Sequence, residues 1–180
     1  MCAVLQKVAT FVLKMSKKKM AETLTIATGS KEAKYQELVP QVKSMLEGED
    51  DLIANMANVA SMIYETFGFL WTGFYRVKKV NDSADEILIL GPFQGPLACT
   101  RIRKGKGVCG TAWERGETVV VEDVDKFPGH IACSSASRSE IVVPLKKDGA
   151  VVAVLDIDSE DLGTFDEVDK KFLEEIVAFF

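Results

Sequence analysis

The 180-residue chain has four cysteines, one histidine and no Cys-x2-Cys pair. So few thiols, irregularly spaced at positions 2, 99, 109 and 133, exclude a disulfide-stapled secreted scaffold. They suit a reducing compartment, where thiols are kept for reactivity or for metal. Without paired knuckles, a tetrahedral zinc site has one reading, His130, Cys133, Cys99 and Cys109. Basic runs are short, the net charge is -5 and the pI is near 5.1, a balance that excludes a nucleic-acid surface. No apolar stretch reaches membrane length, since Ala9–Leu13 is broken by Lys14. Met1–Met20 lacks Asp and Glu, but apart from Lys7 its lysines, Lys14 and Lys17 to Lys19, follow the apolar part, opposite to a secretory signal. Its lack of arginine weighs against a mitochondrial address without closing that option, and the chain is expected in the cytoplasm. Gly105-Lys106-Gly107 lacks the full spacing of a phosphate-binding loop and reads as a loop-to-helix turn.

What is present is 47% hydrophobic and long enough for one core, so residues 31–180 read as one domain behind an N-terminal extension, 1–30. Apolar residues at Tyr35, Leu38, Val42 and Leu46 have helical spacing, which Pro40 turns into one kinked helix or two short ones. Leu52, Ile53, Met56, Val59, Ala60, Ile63 and Phe67 predict a second helix closed by Gly68 in a left-handed cap. Phe69–Val77 and Glu86–Leu90 read as strands, with a turn at Gly91-Pro92 and Gly95-Pro96 before a strand carrying Cys99. A short helix over Val108–Arg115, a strand over Thr118–Val121 and a polar loop over 122–138 follow. Loops of that length inside a compact domain tend to be functional. Asp148-Gly149 predicts a hairpin between Ile141–Lys146 and Ala150–Asp158. Thr164 and Glu167 have the spacing of a capping box for a last amphipathic helix through Phe165, Val168, Phe172, Ile176 and Phe179. The order predicts an α+β fold, an antiparallel sheet flanked by N- and C-terminal helices.

Three of the cysteines come from separate elements that a fold can bring together. Cys109, in the first turn of its helix, would feel the positive end of the helix dipole, which favours thiolate. Trp71 and Tyr75 flank Gly73 on one strand face, either as core packing or as the floor of a pocket in which the glycine leaves room for a small guest. Val152, Val154, Asp156 and Asp158 share a face by period two. Carboxylates at the end of a valine-rich strand would cost several kcal/mol if buried alone, so they are expected to meet partners in a site.

Taken together, Trp71-Thr72-Gly73-Phe74-Tyr75, Leu90-Gly91-Pro92-Phe93-Gln94-Gly95, Cys99, Gly107-Val108-Cys109-Gly110-Thr111-Ala112, Gly129-His130-Ile131-Ala132-Cys133, Ser139-Glu140-Ile141-Val142 and Leu155-Asp156-Ile157-Asp158-Ser159 form a specific signature. Over residues 31–180 the chain resembles the free methionine-(R)-sulfoxide reductases, single-domain enzymes of the GAF fold. The resemblance implies Cys133 as the attacking thiol, Cys99 as the resolving thiol and Cys109 as a secondary partner. It implies no metal or bound cofactor, an external dithiol such as thioredoxin as reductant, and a possible homodimer. Glu140, Asp156 and Asp158 would then surround one pocket, crowding one another so that at least one stays protonated to polarise the S=O group. Another would hold the ammonium of the free amino acid, and Trp71 and Tyr75 would pack against its methylthio end. The rival readings are a non-catalytic GAF ligand sensor and the zinc site above.

Overall fold

The computed structural model describes residues 23–80, 85–131 and 134–180. The elements are α1 (Lys31–Leu46), α2 (Leu52–Phe67), β1 (Trp71–Lys79), β2 (Glu86–Gln94), β3 (Arg101–Ile102), α3 (Gly107–Arg115), β4 (Val119–Val121), β5 (Ser139–Lys147), β6 (Ala150–Ser159) and α4 (Glu167–Val177). A 3-10 turn at Val124–Lys126 interrupts the long polar segment before β5. The strands form one sheet, ordered β3-β2-β1-β6-β5-β4, with every neighbouring pair antiparallel. This is the expected α+β arrangement. Among the described residues no helix is long and apolar enough to cross a membrane.

Period-two alternation gives the sheet two apolar faces. Phe74, Ile141, Val143, Leu145, Ala153, Leu155 and Ile157 meet the buried stripes of α1, α2 and α4. Trp71, Tyr75, Leu88, Val142 and Val154 face the other way, onto α3 and the segments around it. Leu24 packs against the first core, and Thr25 is bonded through its N–H and its C=O to the Gln41 side chain.

Several local expectations change. α1 runs unbroken through Pro40, which sits on its exposed side. The carbonyl that Pro40 leaves without a helical donor is that of Gln36, an exposed residue open to water. α2 is closed by Gly68 at φ 69° as predicted, and its start is capped by Asp51, whose side chain accepts from the N–H groups of Ile53 and Ala54. Leu52 and Ile53, however, lie on its exposed side. Gly91-Pro92 is strand, not turn: the β1–β2 register shifts between Gly73 and Tyr75, and a bulge of this kind accommodates a proline that cannot donate to the ladder. Cys99 precedes β3 and lies in a loop instead of a strand. The capping box of α4 belongs to Asp166 and Asp169, because Thr164 Oγ1 is bonded to Ser159 Oγ and to the Asp161 carbonyl.

Asp169 does more than cap α4. Fully buried, it accepts from Tyr35 Oη at 2.9 Å, from Lys31 Nζ and from the Asp166 N–H, so it ties the start of α1 to the start of α4. Replacing it strands a buried phenol and an ammonium. Asp169→Ala is expected to lower unfolding free energy by about 3 kcal/mol and Tyr35→Phe by about 1 kcal/mol, read from urea melts.

Candidate active site

Strand register assembles the site. Reading across β5, β6 and β1, Glu140 pairs with Asp158 and Asp158 with Trp71; one row further in, Val142 pairs with Asp156 and Asp156 with Gly73; the next row is Pro144, Val154 and Tyr75. Three carboxyls and two aromatic rings thus occupy one patch of one sheet face. α3 covers the patch and brings Cys109 onto it.

The space over Gly73 is taken by protein. A Cβ built there would lie 2.4 Å from Phe93 Cβ and 2.5 Å from the Trp71 ring, so the absent side chain lets the indole fold back over its own strand. The indole stacks on Phe93 at 5.4 Å and on Tyr75 at 5.9 Å. The polar tips of both rings face the Cys99 loop: Trp71 Nε1 donates to the Pro96 carbonyl at 3.1 Å and Tyr75 Oη to the Cys99 carbonyl at 3.0 Å. The guest anticipated above the glycine is therefore displaced to the neighbouring chamber.

That chamber, about 40 Å³, lies among Trp71, Tyr75, Cys109, His130, Glu140 and Asp158. It is large enough for a few water-sized groups. Its acids are buried together. Burial, then the charges of Asp156 and Asp158, hold the Glu140 carboxyl well above the ordinary carboxylate range. Burial and the Asp158 charge do the same to Asp156, against hydrogen bonds from Cys109 and Glu140 that act to lower it. Asp158 is pushed up to about 6 by burial, restrained by a hydrogen bond donated by Ser137 Oγ. Asp156 Oδ1 is buried without a hydrogen-bond partner. At neutral pH the cluster therefore holds at least one proton, the crowding expected of these residues.

Cys109 departs from expectation. Burial first, then the Asp156 and Glu140 charges, raise its thiol well above the ordinary value, so it is a neutral hydrogen-bond donor to Asp156 and not a dipole-stabilised thiolate. Its sulfur, a Glu140 oxygen and an Asp156 oxygen lie within 4.8 Å of one another, the group that best matches metal-ligand spacing among the described residues. It is a different set from the anticipated zinc ligands: Cys99 is disulfide-bonded, and Cys133 lies outside the described residues. His130 Nε2 stands 3.9 Å from Glu140 Oε2, and burial lowers the imidazole pKa against the opposing charge of Asp125. The role given to Cys133 therefore has no described geometry.

Sequence reading missed Ser137 and Phe93. Ser137 sits among four serines between 134 and 139, and only tertiary placement selects the one that reaches Asp158. Phe93 was hidden by treating Gly91-Pro92 as a turn; once β2 continues, period two places it opposite Gly73.

Residues 48–179 match the family model for the GAF domain. The chain is 56% identical over 158 residues to GAF domain-containing protein A of Dictyostelium discoideum, covering 88% of this chain and 97% of that protein. It is 43% identical over 153 residues to the free methionine-R-sulfoxide reductase of Saccharomyces cerevisiae, covering 82% and 83% of the two chains. Its fold superposes on the crystal structure of free methionine-R-sulfoxide reductase from Neisseria meningitidis in complex with its substrate at a TM-score of 0.82, with 52% identity over 87% of this chain and 92% of that one. With its fold and these relatives in agreement, the chain belongs to the free methionine-R-sulfoxide reductase family of GAF-domain proteins.

Proposed function

We propose that the protein reduces free methionine-R-sulfoxide to methionine, with Cys133 as nucleophile and Cys99 as resolving thiol. The observation that carries this reading is the buried, proton-holding cluster of Glu140, Asp156 and Asp158 beside an aromatic wall and a disulfide-bonded Cys99. A sulfoxide oxygen departs only as it receives protons, and a carboxylic acid kept neutral by burial supplies one at neutral pH. His130, Ile131 and Ser134, which flank the Ala132-Cys133 step, all border the chamber, supporting a nucleophile delivered into it. That Cys99 is disulfide-bonded while Cys109 is a buried free thiol favours Cys99 for resolution.

In this reading the Cys133 thiolate attacks the sulfoxide sulfur while Glu140 gives its proton to the oxygen. Methionine leaves and Cys133 carries a sulfenic acid. The Cys99 thiol then displaces the hydroxyl, which departs as water, so one S–S bond replaces the S–O bond of Cys133 and the S–H bond of Cys99. The electrons come from thiols, so no bound cofactor is needed. Asp158, the most accessible and least perturbed of the three acids, takes the substrate ammonium as a carboxylate, and Asp156 anchors Glu140 from below. Lys106, exposed at the chamber edge, offers its cation to the α-carboxylate. Trp71 and Tyr75 receive the methylthio end. A cytoplasmic dithiol protein of the thioredoxin kind returns the disulfide to thiols.

Cys133→Ser is expected to abolish turnover of free methionine-R-sulfoxide in a chiral assay. Cys99→Ser should release about one equivalent of methionine per enzyme without recycling, and Cys109→Ala should still turn over repeatedly. Full turnover by Cys133→Ser would overturn the assignment, and peptide-bound substrate reduced as fast as the free amino acid would overturn the substrate class.

The acids give two more expectations. Glu140→Gln should lower kcat by about 10²- to 10³-fold with a smaller change in KM, since its proton is needed in the transition state. Asp158 has a folded-state pKa of about 6, above the ordinary 3.8, so its contribution to stability is full below 3.8 and is lost as pH rises through 6. Asp158→Asn is therefore expected to be more stable than the parent at pH 7, by up to roughly 3 kcal/mol, with the gap closing towards pH 4 in urea melts.

A further inference from the structure

Leu97 is 89% exposed, the most exposed large apolar residue among those described, and stands two positions before Cys99. It lies in the loop that Trp71 and Tyr75 hold through the Pro96 and Cys99 carbonyls, so its outward placement is fixed by bonds on either side. At the same opening Ile131 is 40% exposed and lies against Gly107, 3.3 Å from where a Cβ on that glycine would sit. Between Cys99 and α3 the chain exposes four cations, Lys106 at the chamber edge and Arg101, Arg103 and Lys104 beyond it, in a protein whose net charge is -5. A single exposed leucine is ordinary. One held beside a redox-active disulfide, with a second aliphatic residue across the opening and a basic edge adjoining, has the composition of an interface.

We propose that Leu97, Ile131 and the basic edge Arg101–Lys104 form the docking surface for the protein that reduces the Cys99 disulfide, an acidic dithiol protein of the thioredoxin class. This rests on the reading of the preceding section. The occupant follows from position and charge. Tyr75 holds Cys99 from the inner side through its carbonyl, so a reductant must approach a sulfur from the solvent side, past Leu97. A basic rim steers an acidic partner, and in a two-fold contact it would meet the same basic rim of a second copy and be repelled. On docking, one thiolate of the partner attacks a sulfur of the disulfide that contains Cys99, forming a mixed disulfide and freeing one enzyme thiol. The partner's second thiol then displaces the other. The partner leaves oxidised by two electrons, and the enzyme regains two thiols.

The test compares reductants on the full chain: thioredoxin regenerated by its NADPH-dependent reductase against dithiothreitol, which needs no protein surface. Leu97→Asp should raise the KM for thioredoxin at least tenfold relative to dithiothreitol-driven turnover and leave the melting temperature unmoved. Arg103→Glu should raise it in a manner that weakens with added salt. The proposal is overturned if Leu97→Asp leaves the thioredoxin KM unchanged, or if both reductants lose rate together, which would place Leu97 in substrate binding. It is also overturned if Leu97→Asp only dissociates a dimer. Should the parent enzyme fail to reduce free methionine-R-sulfoxide even with dithiothreitol, the assigned reaction fails; should dithiothreitol succeed where thioredoxin does not, the docking assignment alone fails.

Discussion

The register of the β5–β6 hairpin decides where every acid of the site points. Side chains alternate faces with a period of two, so Glu140 opposite Asp158, and Val142 opposite Asp156, put three carboxyls on the α3 side while Ile141, Leu155 and Ile157 enter the helical core. A slip of one residue would exchange the two sets, moving carboxyls into the core and isoleucines into the chamber. Two features set the register: Asp148 at φ 52° and Gly149 at φ 81° form the tight turn that pairs Lys147 with Ala150 and Lys146 with Val151, and a one-residue shift between Leu145 and Lys146 then brings Leu145 opposite Ala153 and Glu140 opposite Asp158. The fold therefore tolerates a costly row of buried acids because a two-residue turn, the bulge beside it and an apolar opposite face together leave the hairpin one arrangement.

The aromatic side of the chamber depends on a different constraint, the close approach of β2 to β1. Gly73 lets the indole of Trp71 lie flat over the strand, and Gly91 lies so near the Phe74 carbonyl that a Cβ would sit 2.8 Å from it. The bulge between these glycines carries β2 far enough to place Phe93 against the indole. Trp71 and Tyr75, held from behind, then spend their polar tips on the backbone of the 96–99 loop. Aromatic wall and disulfide loop are thus tied together by two hydrogen bonds, one from each ring.

Much of this was legible in sequence because strong periodicity and turn chemistry act locally. The Asp148-Gly149 hairpin, α2 with its Gly68 cap, the final helix and the shared face of Asp156 and Asp158 follow from spacing alone, and the structure agrees. The failures arose where a tertiary contact overrode a local rule. Pro40 did not break α1 because it faces solvent, where the Gln36 carbonyl that it leaves without a helical donor is open to water. Gly91-Pro92 carries a turn signature that a bulge reused inside a strand. Thr164 has capping-box spacing, yet Asp166 and Asp169 took the cap because Asp169 is also held by Lys31 and Tyr35. No sequence pattern announces a partner more than a hundred residues away.

Cys109 shows how magnitudes settle such conflicts. A helix N-terminus favours a charged group by about 0.3–1 kcal/mol, and on that ground alone the thiol should ionise more easily. Taking an isolated charge out of water costs several kcal/mol, and two neighbouring carboxyls add repulsion in the same direction. Desolvation and like charge therefore outweigh the dipole, and the thiol stays protonated. The consequence is a division of labour by depth. A sulfur sealed under α3 against Asp156 is a poor nucleophile and a useful hydrogen-bond donor, whereas Cys99, on a partly exposed loop at the chamber edge, can exchange partners. Burial, more than the identity of the residue, separates the thiol that stays protonated against the acids from the half-buried cysteine that is disulfide-bonded.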